Sequence, residues 1–132
     1  MRARVVFEAA GAPKEFLQDF LNKLLAEVRS YNGIKILKEK IEEPVQRGQL
    51  YTTFAELEIE FKDLETFLNF YIDYTPSVIE VIEPEKITLT NHDLNKFLND
   101  LSHKIIQLML MINNLKAENE MLKRSANIRG RR

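Results

Sequence analysis

Apolar residues along this chain change their period several times, and each change marks an element. Residues 3–8 alternate, with Ala3, Val5 and Phe7 on one side and Arg4, Val6 and Glu8 on the other, the two-residue period of a strand. Gly11 and Pro13 interrupt it, and Pro13 suits the first turn of a helix, where its missing N–H is not needed. Phe16, Leu17, Phe20, Leu21, Leu24, Leu25 and Val28 then recur at spacings of three and four, predicting a helix with these residues on its core face. Asn32-Gly33 is its stop signal. Residues 34–41 read as a second strand with imperfect alternation. Residues 42–48, with Pro44 and Gly48, read as a hairpin loop. Ala55, Leu57, Ile59 and Phe61 alternate with Glu56, Glu58 and Glu60, the clearest strand in the chain. Asp63 can cap a second helix with Leu64, Phe67, Leu68 and Tyr71 inward, ended by Thr75-Pro76. Residues 78–82 read as a fourth strand, closed by Pro84. Thr90 with Asp93 forms an approximate capping box for a final helix from about 91 to the mid-120s.

The predicted fold class is therefore α+β, in the order β-α-β-β-α-β followed by a long helix. That order resembles the ferredoxin-like sandwich, which implies one sheet face covered by two helices and the first and third strands side by side at the centre. The expected organisation is a globular part over 1–90, a coiled-coil helix over 91–126 and a basic tail over 127–132.

The long helix carries a heptad repeat. Leu94, Leu101, Leu108, Leu115 and Leu122 fall at d, and Leu98, Ile105, Ile112 and Asn119 at a. Isoleucine at a with leucine at d favours two parallel strands, and a single Asn at a fixes register at a cost in stability. Glu118 at g and Lys123 at the following e can pair between parallel chains. Residues 114–123 (Asn-Leu-Lys-Ala-Glu-Asn-Glu-Met-Leu-Lys) resemble the zipper half of a basic leucine-zipper protein, and the likeness spans 98–123. It implies self-association. The basic region of that family precedes its zipper, whereas residues 91–96 are not basic, so forked major-groove binding is not expected. The middle of the repeat departs from a free zipper, because Ile106 at b, Met109 at e, Leu110 at f and Met111 at g are apolar too. A helix apolar all round is buried all round. Residues 105–112 thus call for a further cover: the chain's own globular part, a second dimer in a tetramer, or another protein.

Composition narrows the chemistry. With 45% hydrophobic and 30% charged residues, the 132-residue chain is expected to fold around one modest core. It has no cysteine, so disulfides and thiolate chemistry are excluded, and an intracellular, cytoplasmic setting is the expectation. The start runs straight into a strand without a signal-like apolar segment. His92 and His103 stand eleven apart on one helix, unsuited to a shared metal. No serine sits in a G-x-S-x-G setting, and no phosphate-binding glycine pattern occurs. Neither an enzyme, a cofactor nor a metal site is expected.

Charge adds one asymmetry. Five of the 19 basic residues, Lys123, Arg124, Arg129, Arg131 and Arg132, lie in the last ten positions with no acid among them. The rest carries 14 bases against 20 acids. The basic end is a candidate contact for nucleic acid or an acidic partner. On the open sheet face, Arg2 and Arg4 are expected beside Glu56, Glu58 and Glu60. Carboxylates there, in place of stacking aromatics, argue against an RNA-binding sheet. Residues 9–13 (Ala-Ala-Gly-Ala-Pro) resemble in placement the glycine turn of ACT-type regulatory domains, implying as an alternative a small-molecule sensor. The expected protein is a non-enzymatic homodimeric interaction or adaptor module, associating through a parallel C-terminal coiled coil.

Overall fold

The computed structural model describes the backbone of residues 1–130 and the side chains through residue 128. Two units follow one another, residues 1–89 and 90–132. The first contains β1 (Arg2–Gly11), α1 (Lys14–Arg29), β2 (Ile34–Ile41), β3 (Val45–Arg47), β4 (Leu50–Phe61), α2 (Leu64–Tyr74) and β5 (Val78–Glu83). The second is α3 (Asn91–Gly130). The sheet has the order β2-β4-β1-β5, with the short β3 also paired to β4, and every pairing is antiparallel. The first strand and the glutamate-rich strand are neighbours at its centre, the adjacency that the resemblance in element order implies.

One face of the sheet makes the core. Ala3, Val5 and Phe7 of β1 and Ala55, Leu57, Ile59 and Phe61 of β4 meet Leu21, Leu25 and Val28 of α1 and Phe67 and Phe70 of α2. Full burial of a leucine or phenylalanine stabilises by about 1.5–3 kcal/mol before entropy is counted. Both helices thus cover the same side, and the chain alternates across the sheet to leave β1's arginines and β4's glutamates on the other.

α1 differs from its predicted face. Leu17, Leu21, Leu25 and Val28 are buried, whereas Phe16 and Phe20 are 64% and 51% exposed. At about 100° per residue, the seven predicted positions span roughly 180° of helix. A helix lying on a sheet buries a narrower arc, and the two phenylalanines at its trailing edge fall outside. α2 is turned as well: Phe70, absent from the predicted face, is fully buried, while Leu64 and Leu68 are only partly so.

Local signals place the ends. Asp63 accepts hydrogen bonds from the Thr66 N–H (2.8 Å) and hydroxyl (2.6 Å), which hold its carboxyl below the usual range, the hydroxyl contributing most. Thr75 closes α2 in a left-handed conformation (φ 44°), its N–H donating to the Tyr71 carbonyl. Gly33 (φ 85°) turns the chain into β2 where a Cβ would meet the Thr66 methyl at 3.1 Å.

The predicted 42–48 loop is a correction: residues 45–47 form β3, and the hairpin turn lies at Gly48-Gln49, with Gly48 at φ 63°. A glycine in that conformation ties a two-residue hairpin without strain. Thr90 accepts from the Asp93 N–H through its hydroxyl (3.1 Å) and from the Leu94 N–H through its carbonyl (3.0 Å), starting α3 where the capping pattern predicts. The helix continues through Gly130 with no break at 126. The first four residues of the expected tail are therefore helical. At 1.5 Å per residue, α3 is about 60 Å long.

Candidate interaction surfaces

The open sheet face is a lattice of charge set by strand register. β1 pairs Arg2 with Glu60 and Arg4 with Glu58 on one side, and with Glu83 and Glu80 of β5 on the other. β2 sets Lys35 against Glu60 and Lys38 against Glu58. Across the sheet these give two rows, Lys35–Glu60–Arg2–Glu83 and Lys38–Glu58–Arg4–Glu80, each alternating in sign. Below them lies the row Lys40–Glu56–Val6–Val78. Ion pairs form both along and between rows. The Arg4 Nε donates to Glu56 Oε1 at 2.5 Å, Arg2 lies 3.4 Å from Glu58 and 3.3 Å from Glu83, and Arg4 lies 3.5 Å from Glu80. The Arg4–Glu56 hydrogen bond, helped by their attraction, raises the guanidinium pKa against a small opposing effect of burial. Lys38 adds a 3.5 Å contact to Glu58. The expected pairing of arginines with β4 glutamates is present, displaced diagonally by two residues. The lysine column of β2 and the glutamates of β5 join it, and neither is legible from β1 and β4 alone.

The face is graded in exposure. The Glu58 side chain is 17% exposed at the centre, whereas Lys38 is 82% and Glu83 70% exposed at the two edges. Arg2, Arg4, Glu56 and Glu58 at the centre are paired and partly shielded, whereas Glu60 and the edge columns are exposed.

Gly11, the glycine that suggested a ligand turn, is the last residue of β1 and pairs with Tyr51. A Cβ there would make only ordinary contact with Leu17, at 4.0 Å. The backbone there does not require glycine. A cleft of about 500 Å³ opens beside this end of β1, bordered by Ala9, Ala10, Glu8, Arg47 and Phe54. Among the described residues no group of three or more potential ligands could hold a metal ion.

The second surface is α3 itself. Its seam positions a and d project from one continuous helix: Leu94, Leu98, Ile105, Leu108, Ile112, Leu115 and Leu122 are exposed, from 39% at Leu94 to 67% at Leu122, and Leu101 is half-buried. Asn119 is exposed in the same line. Ile106, Met109, Leu110 and Met111 are exposed too, so apolar side chains ring the helix over residues 105–112. Lys123 and Arg124 are exposed near its end, Arg124 lying 3.9 Å from Glu120 one turn earlier. The side chain of Arg129 and all of Arg131 and Arg132, the remainder of the predicted basic contact, lie outside the described residues. No helix among the described residues is long and apolar enough to cross a membrane.

A five-stranded antiparallel α+β unit followed by a 40-residue helix defines the class of architecture. The chain belongs to the MJ0538 family, whose model matches residues 2–127. It is 36% identical over 93 residues, 69% of its length, to the uncharacterized protein MJ0538 of Methanocaldococcus jannaschii. It spans about a third of that relative, the aligned part being 35% of the longer chain. No solved structure matches it.

Proposed function

We propose that this protein is a non-enzymatic, homodimeric interaction module: a ferredoxin-like sandwich carrying a parallel coiled coil on its C-terminal helix. The observation behind this reading is the exposed heptad seam of α3, from Leu94 to Leu122, on one unbroken helix. A single chain leaves that seam in water, and burying each leucine or isoleucine against a second copy contributes about 1.5–3 kcal/mol. Parallel pairing is favoured by isoleucine at a beside leucine at d, by Asn119 meeting its own counterpart, and by Glu118 reaching Lys123 of the other chain. The strand order β2-β4-β1-β5, with both helices on one face, supports the sandwich reading.

Parallel pairing also gathers Lys123 and Arg124 of both chains at one end. The doubled basic end is the part of the module suited to nucleic acid or an acidic protein.

Solution mass is the test. A dimer or tetramer at micromolar concentration is expected, insensitive to salt because the seam is apolar. The pair Leu108→Asp and Ile112→Asp is expected to convert it to monomer while the sheet unit keeps its circular dichroism signal. A wild-type monomer by light scattering would remove the reading.

A further inference from the structure

The charge rows of the open sheet face have a symmetry that the ion pairs within one chain do not use. Each of the two upper rows reads plus, minus, plus, minus from β2 to β5, as Lys35–Glu60–Arg2–Glu83 and Lys38–Glu58–Arg4–Glu80. Reversed, such a row becomes its own complement. A two-fold axis lying in the face and parallel to the strands reverses the rows of a second copy while keeping their height. It sets Lys38 over Glu80 of the other chain, Glu58 over Arg4, and Lys35 over Glu83. The in-plane axis perpendicular to the strands would instead stack lysine on lysine and glutamate on glutamate. We propose that the open sheet face is a second self-association surface, docking on the same face of another copy about a two-fold axis parallel to the strands.

Three features of the face carry this. Stacked sheets keep their strands within about 30° of each other, so columns stay over columns. An isologous contact about a two-fold closes on itself, whereas joining the lysine edge of β2 to the glutamate edge of β5 would build an open chain. The most exposed charges are the two outer columns, Lys38 at 82% and Glu80 and Glu83 at 65% and 70%. Those are the groups that face each other in the docked pair, together with the exposed Glu60, while Arg4 and Glu56 keep their pair within the chain. Opposed charges of this kind set register and speed encounter more than they add affinity, since each must give up water. The contact is therefore weak and salt-sensitive. It is separate from the α3 seam and does not rest on it.

Zero-length carbodiimide cross-linking of the full chain tests the proposal, with isotopically light and heavy protein mixed so that links between chains are identified by mass. Within one chain, β2 and β5 are three strand intervals apart, about 14 Å, farther than a lysine and a glutamate can span. The neighbouring Lys38–Glu58 pair supplies a link within the chain as a control. The expected result at low salt is mixed-isotope links joining Lys38 to Glu80 and Lys35 to Glu83, lost in about 1 M salt, where the screening length is about 3 Å.

A chain with Glu80→Lys and Glu83→Lys and a chain with Lys35→Glu and Lys38→Glu cannot form these links alone. Mixed together, they are expected to regain them between positions 38 and 80. Control links without any β2–β5 link in the wild type, or a mixture that stays unlinked, overturn the proposal. If the protein is also a dimer by mass and Leu108→Asp with Ile112→Asp dissociates it, only the sheet-face proposal falls. If that helix variant leaves both mass and the Lys38–Glu80 link unchanged, the helix reading falls and this one stands.

Discussion

Phe70 is surrounded by rings. Phe61 lies 5.2 Å away between centroids, Tyr31 5.4 Å, Tyr74 5.0 Å and Phe7 6.4 Å, most at steep angles that set ring edges against faces. It is fully buried, so its loss opens a cavity that rigid neighbours cannot close. Phe70→Ala is expected to cost about 3–5 kcal/mol in urea unfolding, whereas Phe16→Ala, on the exposed edge of α1, should fall within about 0.5 kcal/mol of the wild type. Equal losses at both would contradict the orientation of α1. In the same cluster, Tyr31 donates its hydroxyl to Asp73 at 2.8 Å. Burial first, and then this hydrogen bond, push its phenol above the ordinary tyrosine value. A folded-state pKa raised above the unfolded value near 10 gives stability that is complete below pH 10 and lost as pH rises further. Tyr31→Phe should lower the melting temperature at neutral pH, through loss of the hydrogen bond to Asp73, and flatten its fall above pH 10; an unaltered alkaline slope would assign that slope to other groups.

At the scale of elements, the strands and helices were legible to the extent that their patterns are local. β2 has the predicted bounds, and Asp63 and Thr90 cap the helices that their positions announce. The hairpin turn is ambiguous in the sequence because Pro44 and Gly48 both punctuate, and only pairing of residues 45–47 with β4 shows which one turns the chain. α1 buries a narrower face than its spacing predicts, because helical spacing does not state how much of a helix its sheet can cover. α3 carries the clearest element-level prediction. An Asn at one a position specifies register and strand number at a cost in stability. Asn119→Ile is accordingly expected to raise the melting temperature of the associated state while broadening its mass distribution in light scattering. A lower melting temperature would place Asn119 outside the seam.

Over the whole molecule, two surfaces of opposite character coexist. The α3 seam is apolar apart from Asn119, and the proposed association through it would resist salt. The open sheet face is charged and alternating, and the proposed association through it would be screened by salt. Titrating salt therefore separates them in one sample: mass that survives about 1 M salt belongs to the helix, and cross-links that vanish there belong to the sheet. Lys123 and Arg124 lie on α3 about 50 Å of helix from residue 91.

The sequence by itself determined every element of the order except β3, together with the caps, the heptad spacing and the residue types on each face of β1 and β4, because each follows from spacings within one segment. Tertiary structure decided which parts of the predicted helix faces were buried, Phe70 but neither Phe16 nor Phe20. It also decided where the 42–48 segment turns and how four strands set their charges in rows. Those depend on register between strands distant in the chain, where Arg2 meets Glu60 and Glu83 across 58 and 81 residues of sequence. No single segment's pattern contains that information; only the hydrogen-bonded ladder fixes it.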